Sequence, residues 1–403
     1  MALMPVADAM TAVLEGAVPL PEEQVPLSAA HHRILARDLA SRRTQPPADM
    51  SAMDGYAVRT ADIAAIPARL KVIGEAAAGN PFKGALGAAE AVRIFTGGVV
   101  PGGADAVVIQ EDTAREGDIV VVKEAVAAGR NIRRAGIDFR TGDILLHAGR
   151  RLTDRDLSLA AGMNHPHLPV HRRPRVAVLA TGDELVPPGS DPKPGQIVLS
   201  NGFALHALAH SEGADTIDLG IATDTLDATT AAIRKAREAG ADILLTSGGA
   251  SVGDHDLMHV ALQAEGVDLA FWKIALRPGK PMMHGRLGPM RVIGLPGNPV
   301  SSYVCAFVFM VPLLRALSGR RDIQHPLETA VLGNALPAND QRQDYLRAQL
   351  TMRPDGQWVA TTVSHQDSSL VANLAAAQAL VIRPPLAPAA AAGDTCALIR
   401  LPA

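Results

Sequence analysis

The sequence contains few aromatic residues and almost no cysteine. Aromatic side chains make up 3% of the 403 residues, whereas hydrophobic residues reach 48%, so the core must consist mainly of aliphatic side chains. This composition favours parallel sheets covered by helices. The two cysteines, Cys305 and Cys396, are far apart and neither belongs to a CxxC pair, which excludes a zinc ribbon and a dithiol redox motif. We therefore expect reduced, buried thiols.

A large charge excess, a signal peptide and a membrane-length apolar run are also missing. The formal net charge of -3 gives no reason to expect a nucleic-acid-binding surface, so any anion site must be a local arrangement. The N-terminus has no basic leader and does not resemble a signal peptide. The most apolar run, VSSYVCAFVFMVPLL at residues 300–314, is shorter than the roughly 20 residues of a membrane span and predicts a buried helix. These absences predict a cytoplasmic protein with no nucleic-acid or membrane partner.

Hydrophobic patterning divides the chain into segments of different kinds. The first 45 or so residues resemble a helical arm, and RRLTDRDLSLAAG predicts a helix with Thr153 as its N-cap and Gly162 as its end. Short strands with Gly-rich turns between residues 70 and 146 predict a small all-β domain, and strands predominate again after about residue 321. Between residues 175 and 319 strands and helices alternate with short links, which predicts an α/β domain with a parallel sheet.

Four Gly-rich loops are expected at the carboxyl ends of the strands of this α/β domain, where open parallel sheets bind their ligands. Their sequences are ATGDEL (180–185), TSGGASVGD (246–254), RPGKP (277–281) and GLPGNPVSS (294–302). Backbone N–H groups in such loops can converge on an anion, and a following helix adds its positive end. None of them is a P-loop, and no GxSxG motif provides a serine nucleophile.

Carboxylates and cations accompany these loops. The carboxylates are Asp183, Glu184, Asp224, Asp254 and Asp256, and the cations are Lys273, Arg277 and Lys280. A magnesium ion takes one or two carboxylates together with phosphate oxygens, so the acidic group predicts a magnesium site beside an anion site. Pro278 and Pro281 stiffen the basic loop, which suits the recognition of a compact oxyanion. The alternatives are helix or turn caps for the carboxylates and a solvated surface loop for the cations.

Four residues elsewhere could join this group. Asp54 stands in the Met-rich turn SAMDGYA, Arg347 lies in the predicted strand DYLRAQL, and Ser368 and Ser369 lie in HQDSSL. The alternatives from the sequence alone are an ordinary Asp-Gly hairpin, a salt bridge and helix-capping serines. Ser200 or Asn201 is expected to cap the helix SNGFALHALAHSEG.

Taken together, these stretches resemble the MoeA family, the molybdopterin molybdenumtransferases of molybdenum cofactor synthesis, which are related to the E domain of gephyrin. The resemblance rests on PPADMSAMDGYAV, IFTGG, PGGADAVV, RRAGIDF, TGDEL, TSGGASVGDHD, RPGKP and GLPGNPVS, in the family's order between residues 46 and 302, with DYLRAQL and HQDSSL beyond them. It therefore covers nearly the whole chain.

The resemblance implies an α/β plus β, multidomain fold in an elongated homodimer. Its parts would be a discontinuous helical linker and dimerisation domain at residues 1–46 and 147–172, a β insertion domain at 47–146, a MogA-like α/β molybdopterin-binding domain at 173–320 and a C-terminal β-barrel domain at 321–403. The active site would lie between the α/β domain of one subunit and the SAMDGYA region of the other.

The resemblance also implies the reaction: Mg²⁺-dependent insertion of molybdate into the dithiolene of adenylylated molybdopterin, with release of AMP. An adenylyltransferase and molybdoenzyme chaperones would be further partners. Two rival functions stay open, namely molybdopterin adenylyltransferase and a non-catalytic molybdopterin carrier or scaffold. The additional domains argue against the first rival, and the complete charged set argues against the second.

Site residues follow from the resemblance by matching motifs. Those expected to be catalytic are Asp54, Thr96, Asp138, Glu184, Asp224, Asp256 and Lys273. Those expected to bind substrate are Thr181, Gly182, Asp183, Ser247, Gly248, Gly249, Ser251, Gly253, Arg277, Lys280, Pro296, Gly297, Asn298, Ser301, Arg347 and Ser368, with Ser369 as the alternative to the last. Those expected to hold Mg²⁺ are Asp183, Glu184, Asp224 and Asp256. Many relatives carry lysine where Arg277 stands, and arginine keeps the charge but presents a planar fork.

Overall fold

The computed structural model describes residues 3–248, 257–271 and 273–402. Its first part combines two short α-helices, small strand pairs and a six-stranded sheet. The elements up to residue 171 are α1 (Val6–Leu14), β1 (Glu22–Pro26), β2 (Leu39–Ala40), β3 (Met50–Ser51), β4 (Gly55–Val58), β5 (Ala68–Ala76), β6 (Glu90–Ile94), β7 (Ala106–Ile109), β8 (Thr113–Glu116), β9 (Ile119–Val122), β10 (Ile132–Arg133), β11 (Ile144–Leu146), α2 (Asp154–Gly162) and β12 (His167–His171), with 3₁₀ turns at Leu27–Ala29, Thr60–Ile63 and Gln110–Asp112.

The expected helical arm over the first 45 residues is wrong beyond α1. After Leu14 the chain forms β1, which pairs antiparallel with β12, and β2, which pairs with β11. Pro19 and Pro21 explain the difference, because proline cannot continue a helix. The pairing of β1 with β12 joins the two separated segments that flank residues 47–146.

The helix predicted after residue 150 is confirmed together with its cap. Thr153 is the N-cap of α2, and its side chain accepts from the backbone N–H of Asp156. The Asp156 carboxylate accepts in return from the backbone N–H of Thr153 at 2.9 Å, which completes a capping box. Gly162 is the last residue of the helix.

The β structure predicted between residues 70 and 146 forms a six-stranded sheet in the order β7-β4-β6-β5-β9-β8, which begins earlier than predicted because it includes β4. Buried aliphatic residues cover both of its faces, and the strands β7 and β9 are continuous runs of valine, isoleucine and alanine. The short β3 lies outside this sheet and pairs with β10.

The following part of the chain forms an α/β domain. Its elements are β13 (Arg175–Thr181), β14 (Leu185–Val186), β15 (Ile197–Val198), α3 (Asn201–Ser211), β16 (Asp215–Ala222), α4 (Leu226–Glu238), β17 (Ile243–Ser247), α5 (Leu257–Ala264), β18 (Asp268–Phe271), β19 (Leu276–Arg277), β20 (Met283–Leu287), β21 (Met290–Leu295), α6 (Pro299–Cys305), a π-helical turn (Ala306–Met310) and α7 (Val311–Leu317).

Its six-stranded sheet has the order β16-β13-β17-β21-β20-β18. The first four strands are parallel, as predicted. The expectation of a wholly parallel sheet is wrong at one edge, where β20 runs opposite to the other strands and pairs antiparallel with both β21 and β18. A tight turn at Gly288 joins β20 directly to β21, and so short a connection permits only antiparallel pairing.

The predicted buried helix is confirmed and is longer than the apolar run. The helix Pro299–Leu317 has 19 residues and a mean hydropathy of 1.8, which is enough to cross a membrane, but 89% of it is buried inside the fold. It packs in one hydrophobic core with α1, the face of the sheet and residues of the C-terminal region such as Tyr345 and Leu380. Both cysteines are buried and unpaired, as expected, and Cys305 lies on this helix.

The C-terminal region is a closed β barrel, as the resemblance implied. Its elements are β22 (Glu328–Leu332), β23 (Gln343–Met352), β24 (Trp358–Thr362), α8 (Val371–Ala375), β25 (Ala379–Arg383) and β26 (Thr395–Arg400). Pairing of β23 with both β24 and β25 closes the ring. The short β19, which comes from the preceding part of the chain, adds to this barrel by pairing parallel with β23 instead of extending the α/β sheet.

The long helix should dominate the stability of the α/β domain. Phe309 is 0% exposed on this helix, so Phe309→Ala is expected to lower the free energy of unfolding by about 3–5 kcal/mol. Phe203→Ala is the matched control, because Phe203 is 60% exposed on α3 and its loss should change stability little. Urea denaturation of both variants checks this expectation. Equal midpoints for the two variants would contradict the assignment of Phe309 to the core.

Candidate active site

A cavity of about 420 Å³ opens where β13, β17 and β21 end. The side chains and loops that follow these strands form its walls. Six residues expected from the sequence line it, namely Thr181, Glu184, Ser247, Gly248, Gly297 and Asn298. Larger cavities beside α1 have mainly uncharged walls and lie away from these strand ends. The strand-end cavity is therefore the candidate site.

The close approach of β13 and β17 shapes the base of this cavity. Gly248 follows β17 with φ of +98°, a conformation that side-chain-bearing residues rarely adopt. A Cβ atom there would overlap the carbonyl oxygen of Thr181 at the end of β13. On the other side of Thr181, the Glu184 carboxylate lies over the backbone of Gly182. Glycine at 248 thus lets the two strand ends meet beneath an acidic side chain.

Asn201 is a residue of this site that the sequence suggested only as a helix cap. Its Nδ2 donates to Ser247 Oγ and to the Gly297 carbonyl, both at 2.8 Å, and so it connects the loops after β17 and β21. Its side chain makes no cap hydrogen bond, and neither does that of Ser200, which occupies the N-cap position of α3. Its Oδ1 is buried and has no hydrogen-bond partner among the described residues.

Three of the expected carboxylates converge beside the cavity. The backbone N–H of Asp224 donates to Asp183 Oδ1 at 3.0 Å. Partial burial raises the pKa of Asp224, and the charges of Asp183 and Glu184 raise it further. In the part of the chain that the structure describes, however, no group of three histidine, cysteine or acidic residues is already arranged to hold a metal ion.

The C-terminal barrel supplies another wall of the cavity. Ser368 Oγ accepts a hydrogen bond from Asn298 Nδ2 at 2.8 Å, and its carbonyl accepts from the backbone N–H of Val300 at 3.0 Å. Ser369 lines the cavity itself and donates from its backbone and hydroxyl to Asp367 Oδ1. Neither serine caps α8 with its side chain, although this was the alternative from the sequence.

Arg347 is buried next to this segment, with 1% of its surface exposed. Its Nε donates to Gln366 Oε1 at 3.1 Å and its Nη1 to the Asp367 carbonyl at 2.8 Å. The salt bridge considered from the sequence is not found among the described residues, because these partners are uncharged oxygens. Burial lowers the pKa of Arg347. Its Nη2 is buried without a hydrogen-bond partner in the same described set.

The basic loop differs from our expectation at Arg277. Its guanidinium binds Asp344 through Nε at 2.7 Å and through Nη2, and it also donates to Asn339. The hydrogen bond with Asp344 raises the pKa of Arg277 and offsets its charge. Arg277 therefore attaches the loop to the barrel and does not present an open cation. Lys280 in the same loop is exposed.

The same loop packs against the long helix. A Cβ atom at Gly279 would overlap Cys305 Sγ and would lie 3.8 Å from the Ser301 carbonyl, so loop and helix are in close contact. Ser301 is 5% exposed in the first turn of α6, and Pro296 is buried after β21. Lys273 is half-buried where its carbonyl accepts from the backbone of Met4.

The remaining expected residues fall outside this cavity or outside the described chain. Asp54 Oδ1 accepts from the backbone N–H and the hydroxyl of Thr96 at 2.7 and 2.8 Å, and the backbone hydrogen bond lowers the pKa of Asp54. Asp138 is exposed in the same region of the chain. None of these three lines the strand-end cavity. Gly249, Ser251, Gly253, Asp254 and Asp256 lie outside the described residues.

The raised pKa of Asp224, which lies beside Asp183 and Glu184, should make the stability of the fold depend on pH. Because its pKa in the folded protein is raised above the ordinary value of 3.8, its ionised form opposes folding, and this cost grows as the pH rises through the folded-state pKa. In the presence of EDTA, Asp224→Asn is therefore expected to be more stable than wild type at pH 7, and the difference should shrink towards pH 4. Thermal unfolding at several pH values measures it.

Asp227→Asn is the control, because Asp227 lies in the first turn of α4, where its charge favours the positive helix end. This variant should not gain stability at pH 7. An Asp224→Asn variant that is no more stable than wild type at neutral pH would show that the three carboxylates do not repel one another.

Comparison with known proteins assigns three successive regions of the chain to regions of the same kind of protein. Residues 4–163 match the MoeA N-terminal region (domain I and II), residues 177–316 match the "Probable molybdopterin binding domain", and residues 329–401 match the MoeA C-terminal region (domain IV). A curated molybdopterin molybdenumtransferase of Haemophilus influenzae is 37% identical over 354 residues, covering 87% of each chain. Another from Nostoc sp. is 38% identical over 372 residues, covering 90% of this chain and 85% of its own.

A solved structure described as a molybdopterin biosynthesis MoeA protein from Pyrococcus horikoshii has the same fold, with a TM-score of 0.86 at 31% identity over 100% of both chains. These matches confirm the resemblance and the multidomain α/β plus β fold inferred from the sequence. The chain belongs to the MoeA family of enzymes.

Proposed function

We propose that this protein inserts molybdate into adenylylated molybdopterin in a Mg²⁺-dependent reaction that releases AMP, as a step of molybdenum cofactor biosynthesis in the cytoplasm. One observation carries the proposal. The cavity at the ends of three parallel strands has Glu184 on one wall, and the barrel segment that contacts buried Arg347 forms another. It therefore brings groups suited to phosphate chemistry near a cation suited to a small oxyanion.

The loops and helices at the cavity suit the pyrophosphate of the substrate. Gly248 and Gly297 line it without side chains, so a phosphate can approach their backbone. The long helix begins at Pro299 and α3 begins at Asn201, and both residues line the cavity. The N-terminus of each helix adds a partial positive charge that favours a bound anion.

Arg347, the serines of the barrel segment and Lys280 are suited to molybdate. Molybdate is a tetrahedral dianion, and a guanidinium binds such groups through charge-assisted hydrogen bonds. The buried Nη2 of Arg347 is a donor without a partner in the described chain, which is costly unless a ligand or water uses it. We do not propose that Arg277 binds molybdate, because its guanidinium already forms an ion pair with Asp344.

The carboxylates fit a magnesium ion in part. Asp183 and Glu184 lie close enough to Asp224 for their negative charges to raise its pKa. A divalent cation would relieve this repulsion. They are not a complete coordination set among the described residues, so Asp256 and substrate phosphates would have to contribute. When bound, the ion would offset charge on the pyrophosphate as phosphorus is attacked. Glu184 would then orient the attacking water from the wall of the cavity.

A homodimer would bring in the residues that lie apart from the cavity. The Asp54–Thr96 pair is held by two hydrogen bonds but does not line the cavity of its own chain. We propose that this region completes the site of the partner subunit, with Asp138 next to it. An adenylyltransferase that supplies the pterin and chaperones that receive the product are the further partners of this proposal.

The reaction is tested by AMP release from adenylylated molybdopterin, with and without molybdate and Mg²⁺. We expect release only when both are present. Release of AMP in Glu184→Gln should slow by a factor of about 10² or more, because a positioned proton acceptor contributes this much to such reactions. Asp191→Asn, on the loop between β14 and β15, is the control and should retain activity.

Two outcomes would overturn the assignment. Formation of adenylylated product from molybdopterin and ATP without molybdate would indicate an adenylyltransferase. Retention of the pterin without any molybdate-dependent AMP release would indicate a carrier. Turnover of Glu184→Gln at the wild-type rate would exclude Glu184 alone from the reaction.

The assignment of Arg347 is tested through the molybdate requirement. Arg347→Lys keeps the charge but loses the guanidinium fork, so the molybdate concentration for half-maximal AMP release should rise about tenfold or more, while pterin binding changes little. Arg353→Ala serves as the control, because Arg353 follows the same strand and hydrogen-bonds Gln357 away from the cavity. An unchanged molybdate dependence in a folded Arg347→Lys protein would contradict this role.

A further inference from the structure

Arg93 holds the turn that carries Asp54. It lies on β6, opposite Tyr56 of β4. Its Nη1 donates to the Gly55 carbonyl at 3.0 Å and its Nη2 to Gln110 Oε1 at 2.8 Å. The backbone N–H of Gln110 in turn donates to the Asp54 carbonyl at 3.1 Å. The guanidinium therefore contacts both the residue after Asp54 and the residue that holds the Asp54 carbonyl.

The same guanidinium also contacts the segment that carries Thr96. Its central carbon lies 4.7 Å from the centre of the Phe95 ring, and Phe95 directly precedes Thr96. It lies 5.2 Å from the centre of the Tyr56 ring on the other strand. Such cation–π contacts hold a planar guanidinium in a fixed position. Among the described residues no carboxylate forms a salt bridge with Arg93, so its contacts join the two segments that carry Asp54 and Thr96.

The two oxygens of the Asp54 carboxylate differ in their contacts. Oδ1 accepts from the backbone N–H and the hydroxyl of Thr96, whereas Oδ2 has no hydrogen-bond partner in the part of the chain that the structure describes. The backbone hydrogen bond from Thr96 lowers the pKa of Asp54 most, and the positive charge of Arg93 acts in the same direction. Asp54 is therefore ionised at neutral pH and has one carboxylate oxygen free.

We propose that Arg93 is a positioning residue that acts through Asp54. It holds the turn and the Thr96 segment together, so that Oδ1 stays on Thr96 and Oδ2 stays free to accept a hydrogen bond from the substrate. This inference rests on the proposed function, in which the Asp54 region completes the site of the partner subunit. A residue that only stabilised the sheet would give a different result in each of the following experiments.

A double-mutant cycle tests whether Arg93 acts through Asp54. The rate of AMP release at saturating molybdate is compared in wild type, Arg93→Met, Asp54→Asn and the double variant. Arg93→Met loses the charge and the N–H donors, so it should lower this rate about tenfold or more by displacing Asp54. In the Asp54→Asn background the same change should cost less than about twofold, because the carboxylate that Arg93 positions is already absent. Equal factors in the two backgrounds would indicate a structural role and overturn the proposal.

Two further variants serve as controls. Arg93→Lys keeps the charge but has no planar fork, so it should still slow AMP release about threefold or more. Arg69→Met should keep the wild-type rate, because Arg69 lies on β5 of the same sheet and pairs with Glu116 at 2.8 Å. Thermal unfolding checks that each variant is folded, and Arg93→Lys replaces Arg93→Met in the cycle if the latter does not fold. A wild-type rate in either folded Arg93 variant would contradict the proposal.

Mixed dimers test which site Arg93 serves. Co-expression with two affinity tags isolates dimers that combine an Arg93→Met subunit with a Glu184→Gln subunit. If the site is shared, one of the two sites in such a dimer contains neither change, so the dimer should release AMP at about half the wild-type rate. A dimer that combines Asp54→Asn with Glu184→Gln is the reference and should behave in the same way. Activity in the reference dimer alone would overturn the proposal for Arg93.

Failure of this inference and failure of the proposed function are distinguishable. Absence of molybdate-dependent AMP release in wild type would remove the proposed reaction and the role of Arg93 in it. An active wild type with an inactive reference dimer would remove the shared site and, with it, the action of Arg93 on the partner's substrate. An active wild type and an active reference dimer, combined with equal factors in the cycle, would remove only the role of Arg93.

Discussion

The contact between the ends of β13 and β17 is the constraint on which the site depends. It exists because residue 248 has no side chain and adopts a left-handed backbone, so the carbonyl of Thr181 can lie where a Cβ atom would otherwise be. With these two strands fixed side by side, Ser247 meets Asn201, and Asn201 in turn holds the loop at Gly297. Three loops that are distant in sequence thereby become one rigid base, which suits a site that must hold a substrate in a defined geometry.

The barrel is the second necessary part, because it contributes a wall that the α/β domain lacks. Two kinds of contact hold it in place. Tyr345, Leu380 and Ile399 share a hydrophobic core with the long apolar helix, and Arg277 makes a paired contact with buried Asp344. Removing Arg277 would leave the buried Asp344 carboxylate without this ion-pair partner, which is destabilising. Formation of the cavity is thus coupled to docking of the barrel.

Much of this arrangement could be predicted from the sequence, because its signals are local. The helices of the α/β domain, the cap at Thr153 and the buried apolar helix follow from periodicity and capping residues. The loops after β13, β17 and β21 could be assigned to one edge because parallel strands end at the same side of a sheet.

The parts that were missed depend on tertiary contacts. Arg277 binds Asp344, a residue 67 positions away, and no local pattern distinguishes an arginine with such a partner from one that faces a ligand. The antiparallel strand β20 looks like any other apolar strand, since direction is not encoded in hydrophobicity. Asn201 is a residue type common in helix caps and stands at the start of a helix, so only its contacts with Ser247 and Gly297 reveal its place in the site.

The pairing of β19 with β23 changes how the chain can be divided. Leu276 and Arg277 leave the α/β domain, pair with Gln343 and Asp344, and the chain then returns to the α/β sheet before it builds the rest of the barrel. A fragment that begins after residue 320 would lack this strand and leave part of the β23 edge and the Asp344 carboxylate uncovered. Exposed strand edges favour association with other chains. The two regions are therefore interlocked along the polypeptide, and evolution could not exchange the barrel by simple end-to-end fusion without also replacing an internal segment.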